Sequence, residues 1–143
     1  MKYHFKIHKE KNGYWAEGIE IPGAKTQADS PEELRRNMQQ VLEMFLDDHP
    51  SNAEYIAPMP TPKLKGRNIV EVSPDPKIAF SFLVRRERME AKMSQREAAT
   101  ALGIKHLSQY QRLESGKTAN PELGTLVKLK SVFPDFSLDA VLA

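Results

Sequence analysis

The stretch SQREAATALGIKHLSQYQRLESGK, residues 94–117, reads as two short helices joined by a turn. Ser94 predicts the start of the first helix, because its hydroxyl can cap free backbone N–H groups and Glu97 follows three residues later, as in a capping box. Gly103 predicts the end of that helix, since glycine readily adopts the left-handed conformation found just past a helix. The second helix is predicted within residues 106–115, so the stretch folds as helix, tight turn and helix.

The second predicted helix has one apolar side and one polar side. Apolar residues fall at every third position and so lie on roughly one side of a helix; they are Ile104, Leu107, Tyr110 and Leu113. Amide, hydroxyl, imidazole and basic side chains occupy the other positions, with no acid before Glu114. Because glutamine can pair with adenine and arginine with guanine, this polar side suits the major groove of DNA. A helical bundle with a solvated polar face fits the same pattern.

The first helix of the pair offers two further features. Ala98 and Ala99 are small enough to let the second helix cross closely, as a helix-turn-helix requires. Gln95, beside the cap, presents its side chain and backbone N–H at the positive end of the helix, where a phosphate can bind. The predicted DNA-contacting residues are Gln95, Lys105, His106, Ser108, Gln109, Gln111, Arg112 and Lys117.

The rest of the C-terminal half also reads as helix. Further helices are predicted over about residues 76–91, from Asn120 and Pro121 onward, and from Ser137 to Leu142. The second of these carries Leu123, Leu126, Val127 and Lys130 down one side. Residues 77–143 contain 11 Lys and Arg against 7 Asp and Glu, whereas residues 1–76 contain 10 against 12. The C-terminal half therefore has the charge expected for a phosphate-rich partner, and the N-terminal half does not.

The N-terminal half predicts a small β-sheet. Residues 2–8 alternate strictly between apolar and polar side chains, which is the period of a half-buried strand. Asn12 and Gly13 predict a hairpin turn, because both accept a positive φ. The other strands are predicted at about residues 14–20, 24–28 and 67–72.

One helix is predicted to pack on this sheet. Ser30 and Pro31 indicate its start, and it should stop before Pro50. Its apolar face consists of Leu34, Met38, Val41, Leu42 and Phe45. Prolines in residues 49–63 exclude a helix or central strand there, and a boundary follows at residues 73–76. The predicted fold class is α+β, with a small N-terminal β-sheet and one packed helix in residues 1–73 and an all-α domain in residues 74–143.

Composition and motifs exclude several classes of protein. The chain has no cysteine and no apolar run near the ~18 residues of a transmembrane helix, which suggests a cytoplasmic protein without a membrane partner. It has no phosphate loop, nucleophile elbow or zinc motif. His4 and His8 stand ~13 Å apart on a strand and are expected to be solvated. A charged helix end is the expected role of Asp47, Asp48 and His49. We therefore predict no enzyme activity, no metal site and no cofactor.

The C-terminal half resembles a known DNA-binding family. The order S-Q-x-E-A-A-x-x-L-G-I, Y-Q-R-L-E-S-G-K and N-P-x-x-x-T-L is similar to the XRE-type helix-turn-helix of phage-repressor-like proteins, over about residues 78–142. The resemblance implies that Gln95 touches DNA, that residues 105–112 form the recognition helix, and that the core includes Leu102, Ile104, Tyr110 and Leu113. The segment from Gly103 to Glu114 is one residue longer than usual. The base-reading positions therefore map onto His106, Ser108 or Gln109.

The N-terminal half resembles the antitoxin domain of HicB over about residues 1–72. After a hairpin the family has a P-G-x-x-T-x-A-D-S turn, an amphipathic helix and P-x-P-x-P spacing. The matching residues here are Pro22, Gly23, Thr26, Ala28, Asp29, Ser30, Pro58, Pro60 and Pro62. The resemblance implies a partial ribonuclease-H-like fold without catalytic acids.

These resemblances imply an antitoxin of a type II toxin–antitoxin system. Such a protein would bind HicA, a small basic mRNA-interferase toxin, and repress the shared operon by binding operator DNA. A homo-oligomer, dimer or tetramer, is also expected, because an α/β unit of roughly 70 residues gains stability by pairing and a two-fold protein suits a palindromic operator. The alternative is a ligand-responsive helix-turn-helix repressor with no toxin partner.

Overall fold

The computed structural model describes residues 1–47 and 55–143. The chain divides into two compact units. Among the described residues, the first contains Met1–Leu46 and Tyr55–Asp75, and the second contains Asp47 and Pro76–Ala143. The predicted residues Asp48 and His49 lie outside the described residues. The observed fold class is α+β, as the sequence predicted, with the strands in the first unit and short helices throughout the second.

The first unit is a four-stranded antiparallel sheet with one helix. Its elements are β1 Tyr3–Glu10, β2 Gly13–Gly18, β3 Lys25–Ala28, α1 Pro31–Leu46 and β4 Ile69–Val72. The order across the sheet is β3-β2-β1-β4, so the N-terminal strand is central and β4 returns to pair with it. The helix covers one face of this sheet, packing mainly against β3 and β2.

The core of this unit includes two of the three apolar residues predicted along β1, but the strict alternation is only partly kept, because His4 is buried between them and Ile7 is half-buried. Tyr3 and Phe5 are fully buried, and α1 contributes Leu34, Met38 and Leu42 to the same core. These three helical residues are four positions apart, so they form one stripe along α1. Ser30 Oγ accepts the N–H of Glu33 at 3.2 Å, which caps the helix where the sequence predicted its start.

The prediction of solvated strand histidines was wrong for His4, which is 2% exposed. Its Nδ1 lies 2.7 Å from a carboxylate oxygen of Glu20, and its backbone N–H donates to the other oxygen at 2.9 Å. Glu20 also accepts the backbone N–H of Thr61 at 2.9 Å. Burial of His4 thus depends on an acid from the chain beyond β2. His8 is half-buried, and its ring stacks on that of Trp15 with centroids 3.9 Å apart.

The second unit consists of five helices among the described residues. They are α2 Pro76–Glu90, α3 Gln95–Ala101, α4 Leu107–Leu113, α5 Leu123–Val132 and α6 Leu138–Leu142. The start of α5 lies beyond the predicted Asn120 and Pro121, because Glu122 holds the extended N-cap conformation. Buried apolar side chains of this unit come from α2, α4, α5, α6, the C-cap of α3 and the α5–α6 connection; they include Phe80, Phe82, Leu102, Tyr110, Leu129, Phe136 and Val141.

Two features are absent from the described residues. None of the helices they form has the length and apolar character needed to cross a membrane. They also contain no group of three or more His, Asp or Glu side chains placed to hold a metal ion.

Candidate nucleic-acid interface

The α3–turn–α4 segment is shaped by a cap at one end and a glycine at the other. Ser94 Oγ accepts the N–H of Glu97 at 3.0 Å, and Glu97 Oε1 accepts the N–H of Ser94 at 3.1 Å, which completes the predicted capping box. These backbone and side-chain hydrogen bonds hold the pKa of Glu97 below its ordinary value. Gly103 follows the last residues of α3 with a φ of +72°, a conformation that strongly favours glycine.

The two small residues predicted on α3 are both buried. They are Ala98 and Ala99, and α3 packs against α4. From α4 the fully buried ring of Tyr110 enters the core, together with Leu113. The predicted core residue Leu102 is buried as well, and Ile104 and Leu107 are half-buried. The apolar side of α4 therefore faces inward, and the polar side is left to solvent.

A buried carboxylate lies beneath this pair of helices. Glu114 is 1% exposed, and Arg88 from α2 binds both of its oxygens, Nε to Oε2 at 2.7 Å and Nη2 to Oε1 at 3.0 Å. The hydroxyl of Tyr110 also donates to Oε2, and Gln95 Nε2 donates to Oε1 at 3.2 Å. Arg88 Nη1 donates to the backbone oxygen of Met93 at 3.0 Å. Side chains from α2, α3 and α4 thus converge on one acid.

The electrostatics of this cluster favour a charged arginine and a neutral tyrosine. Burial by itself lowers the pKa of Arg88, but the hydrogen bond and the charge of Glu114 outweigh it, so the pKa is raised above its ordinary value. Burial first, and the negative charge of Glu114 second, raise the pKa of Tyr110. Tyr110 therefore remains a hydrogen-bond donor, and the carboxylate of Glu114 keeps all of its partners.

Gln95 links this buried cluster to the surface. Its Nε2 donates to Glu114, and its Oε1 accepts from Nε2 of Gln111 at 3.0 Å. Each end of the Gln95 amide therefore has one partner within the protein, and its predicted contact with DNA stays a prediction. Gln111 is exposed and uses one N–H for this bond, so it keeps an oxygen and a second N–H for other partners.

The remaining predicted residues are all exposed. Ser108, Gln109 and Arg112 are neighbours on α4, because residues three or four apart lie side by side on a helix. His106 occupies the N-cap of α4 without a side-chain capping bond. The other exposed candidates are Lys105 before α4 and Lys117 in the turn after it. Within the described parts of the chain, Lys105, Arg112 and Lys117 form no ion pair.

Two features of this unit were not predicted from the sequence. Arg96 is exposed next to Gln95 and forms no ion pair with any described residue, so it adds an exposed cation to the first turn of α3. The position of Arg96 beside Gln95, in the first turn of α3, is the sequence feature from which this exposed cation could have been predicted. The cluster around Glu114 was also missed, because Arg88 stands 26 residues away in the sequence. No local pattern pairs residues so far apart.

Comparison with known proteins supports the DNA-binding part of the prediction. Residues 84–140 match the protein family described as Helix-turn-helix. The match begins within α2, includes α3 and α4, and ends within α6. No curated protein matches the chain. Residues 84–140 are thus a helix-turn-helix domain of the kind found in DNA-binding transcription regulators.

Proposed function

We propose that this chain is a HicB-type antitoxin that represses its own operon and neutralises a HicA-like ribonuclease toxin. Residues 74–143 bind operator DNA, and residues 1–73 bind the toxin. The bounds of the two parts are supported by the end of β4 at Val72 and the start of α2 at Pro76. The protein acts in the cytoplasm as a homo-oligomer, without a cofactor.

The exposed side of α4 is the observation that carries the operator-binding part. It presents Ser108, Gln109 and Arg112 together, and the acid that ends this segment, Glu114, is buried and fully bonded. The surface that would meet phosphates therefore has no exposed carboxylate along α4. Amide and guanidinium groups on one helix face are the groups that read adenine and guanine in the major groove.

Operator binding is tested with the DNA upstream of the gene and a scrambled duplex of equal composition. We expect the native sequence to bind at least tenfold more tightly, and its affinity to fall steeply as salt rises, because phosphate contacts release counterions. The scrambled duplex measures the sequence-independent part of the binding. Equal affinity for both duplexes across the salt series would refute operator recognition.

The toxin-binding part is supported by charge and by the HicB resemblance. Residues 1–76 carry two more acids than bases, which is the sign that favours a basic partner. The turn and proline spacing shared with HicB surround α1, and the unit has a sheet covered by this helix on one face. Both observations fit a small protein-binding domain for which no enzyme activity is predicted.

Purification of the tagged full chain from its native host at moderate salt tests this part. We expect a small basic protein in stoichiometric amount, whose RNA cleavage stops when the chain is added back. The same purification with residues 1–76 exchanged for an unrelated folded domain is the control, and it should lose the partner. A chain that purifies without a partner but still binds its operator would instead support the ligand-responsive repressor.

A further inference from the structure

Helix α1 covers only part of the sheet face against which it packs. A helix with its side chains is about 10 Å wide and neighbouring strands are about 4.8 Å apart, so one helix covers roughly two of four strands. Because α1 packs mainly against β3 and β2, a groove of about 440 Å³ remains between α1 and the strands β1 and β4. Sites for small molecules have volumes of about 300–1,000 Å³, so the groove is large enough to be one.

The floor and one wall of the groove are apolar. Leu34 and Met38 line it from α1, and both are buried. Ile7 lines it from β1 and Val70 from β4. Phe5 is opposite Val70 in the sheet and Ile7 follows two residues later, so the side chains of Ile7 and Val70 share one face. Both are only half-buried, so an apolar ligand that covers them removes further apolar surface from water.

Two hydrogen-bond donors lie together at one end of the groove. Tyr14 is opposite Ala28 in the sheet, two residues before the cap of α1, and Arg35 is about one turn after the start of that helix. Both side chains line the groove. Within residues 1–47 and 55–143 the Tyr14 hydroxyl forms no hydrogen bond and the Arg35 guanidinium no ion pair. A phenol and a guanidinium are both able to donate to a carboxylate.

The acids nearest to Arg35 do not cancel its charge. Glu71 also lines the groove, but its carboxylate is paired with Nζ of Lys2 at 3.6 Å. Glu33 accepts the backbone N–H of Asp29 at 3.3 Å and is not a lining residue of the groove. The donor end therefore keeps a positive charge that is available to a ligand.

The other end of the groove is neutral and closed. Gln39 and Ser73 line it there. Glu43 Oε1 accepts Nε2 of Gln39 at 3.0 Å and the backbone N–H of Asp75 at 2.7 Å. These bonds join α1 to the chain that follows β4, so the two sides of the groove are tied together at this end. A ligand that fills the groove thus has its charged group at the opposite end.

We propose that the groove between α1 and the strands β1 and β4 binds a small amphipathic carboxylate. Its aliphatic chain covers Ile7, Val70 and Met38. Its carboxylate accepts hydrogen bonds from the Arg35 guanidinium and the Tyr14 hydroxyl, because a guanidinium offers a fork of N–H groups that matches two carboxylate oxygens. The site belongs to the first unit, and it does not rest on the proposed operator or toxin binding.

The test is calorimetric titration of the full chain with sodium decanoate and with decyltrimethylammonium, which has the same chain length and the opposite charge. We expect saturable decanoate binding with a Kd below about 1 mM. We expect Arg35→Gln to weaken it at least about tenfold, because a hydrogen bond between charged groups is lost. Arg36→Gln is the matched control, since Arg36 is the exposed neighbour on α1 and does not line the groove. Circular dichroism checks the folding of both variants.

Methyl NMR spectra separate this groove from a second apolar surface on α5, where Leu123 is 81% exposed and Val127 70%. A fatty chain that binds without specificity would meet those side chains first. We expect decanoate to shift the methyl signals of Ile7 and Val70 and to leave those of Leu123 and Val127 unchanged.

Four results would overturn the proposal. They are no saturable binding of decanoate, equal binding of both amphiphiles, equal losses in the two arginine variants, and methyl shifts confined to α5. If decanoate does not bind but Arg35→Gln releases a protein that co-purifies with the parent, the groove belongs to that protein and the proposal is also wrong. A chain that binds decanoate at Ile7 and Val70 but recognises neither operator nor toxin would keep this site and lose the proposed function.

Discussion

Glu114 loses nearly all contact with water in the folded chain, yet four hydrogen bonds reach its two carboxylate oxygens. A buried ion pair is costly to form and costly to break, because removing one partner leaves the other charge without compensation. Arg88, Tyr110 and Gln95 therefore act together on one group. Their combined effect is to fix the position of α4 relative to α2 and α3.

Replacing this carboxylate by an amide tests its contribution to stability. We expect Glu114→Gln to lower the free energy of unfolding by about 3 kcal/mol, because Arg88 keeps its charge in a site where only 13% of its side chain reaches water. Urea unfolding followed by circular dichroism gives the value. Glu122→Gln, at an exposed position, is the control and should change stability by less than about 0.5 kcal/mol. Similar losses in both variants would contradict the role of the cluster.

The raised pKa of Tyr110 predicts a dependence of stability on pH. Burial and the charge of Glu114 raise it above the ordinary value of 10.0, so the folded chain keeps a proton that the unfolded chain loses at high pH. The stabilisation is present below about pH 10 and decreases as pH rises above it, because the unfolded state then binds fewer protons. Urea midpoints from about pH 8 to pH 11 should fall more steeply for the parent than for Tyr110→Phe. Parallel slopes would show that the phenol does not contribute.

Helix α4 contains one set of residues that packs into the core and another set that is exposed. Tyr110 and Leu113 hold the helix to the core, and Ser108, Gln109 and Arg112 form its exposed side. Substitution in the second set should therefore change DNA binding without changing stability.

The exposed side of α4 is tested by binding to the native operator. We expect Gln109→Ala and Arg112→Ala each to cost about 1–3 kcal/mol on the cognate site and to relax its sequence preference, because each removes a group that can read a base edge. Fluorescence anisotropy with a series of single-base variants of the operator measures both effects. Lys6→Ala removes an exposed positive charge from β1 and is the control for charge alone. Unaltered specificity in both α4 variants would place base reading elsewhere.

Local signals in the sequence predicted where most elements begin and end. Ser94 and Ser137 cap α3 and α6 as expected, and Gly103 ends the first helix of the pair, because caps and turns depend on neighbouring residues. Other features depend on residues distant in the chain. His4 was expected in solvent, but Glu20 buries it from 16 residues away. The apolar spacing of α5 likewise did not reveal that Leu123 and Val127 point outward. An exposed apolar side of a helix has the same spacing in the sequence as a buried one.

For the molecule as a whole, the two halves of the chain carry opposite charge. Residues 1–76 have net charge −2 and residues 77–143 have net charge +4. Such a division allows a basic protein and an acidic polymer to be attracted by different parts of one chain. This charge division is a property of the sequence and could be predicted completely.

The opposite charges predict how the proposed toxin complex responds to salt. The association rate of chain and toxin should fall severalfold between about 50 and 500 mM salt, whereas the dissociation rate should change little, because long-range attraction acts mainly on encounter. Surface plasmon resonance with the captured full chain measures both rates. A neutral solute of matched viscosity is the control for slower diffusion. A salt effect confined to the dissociation rate would argue against steering by charge.

The network that joins Arg88, Glu114, Gln95 and Gln111 has a consequence for the evolution of new regulators from this scaffold. The network fixes the position of α4 from its core side. The exposed side chains of Ser108, Gln109 and Arg112 form none of its hydrogen bonds. A library randomised at those three positions should consequently retain the parent's melting temperature in most members while its preferred DNA sequences diverge. The proposed DNA-reading surface of this protein is in that sense interchangeable, and its support is not.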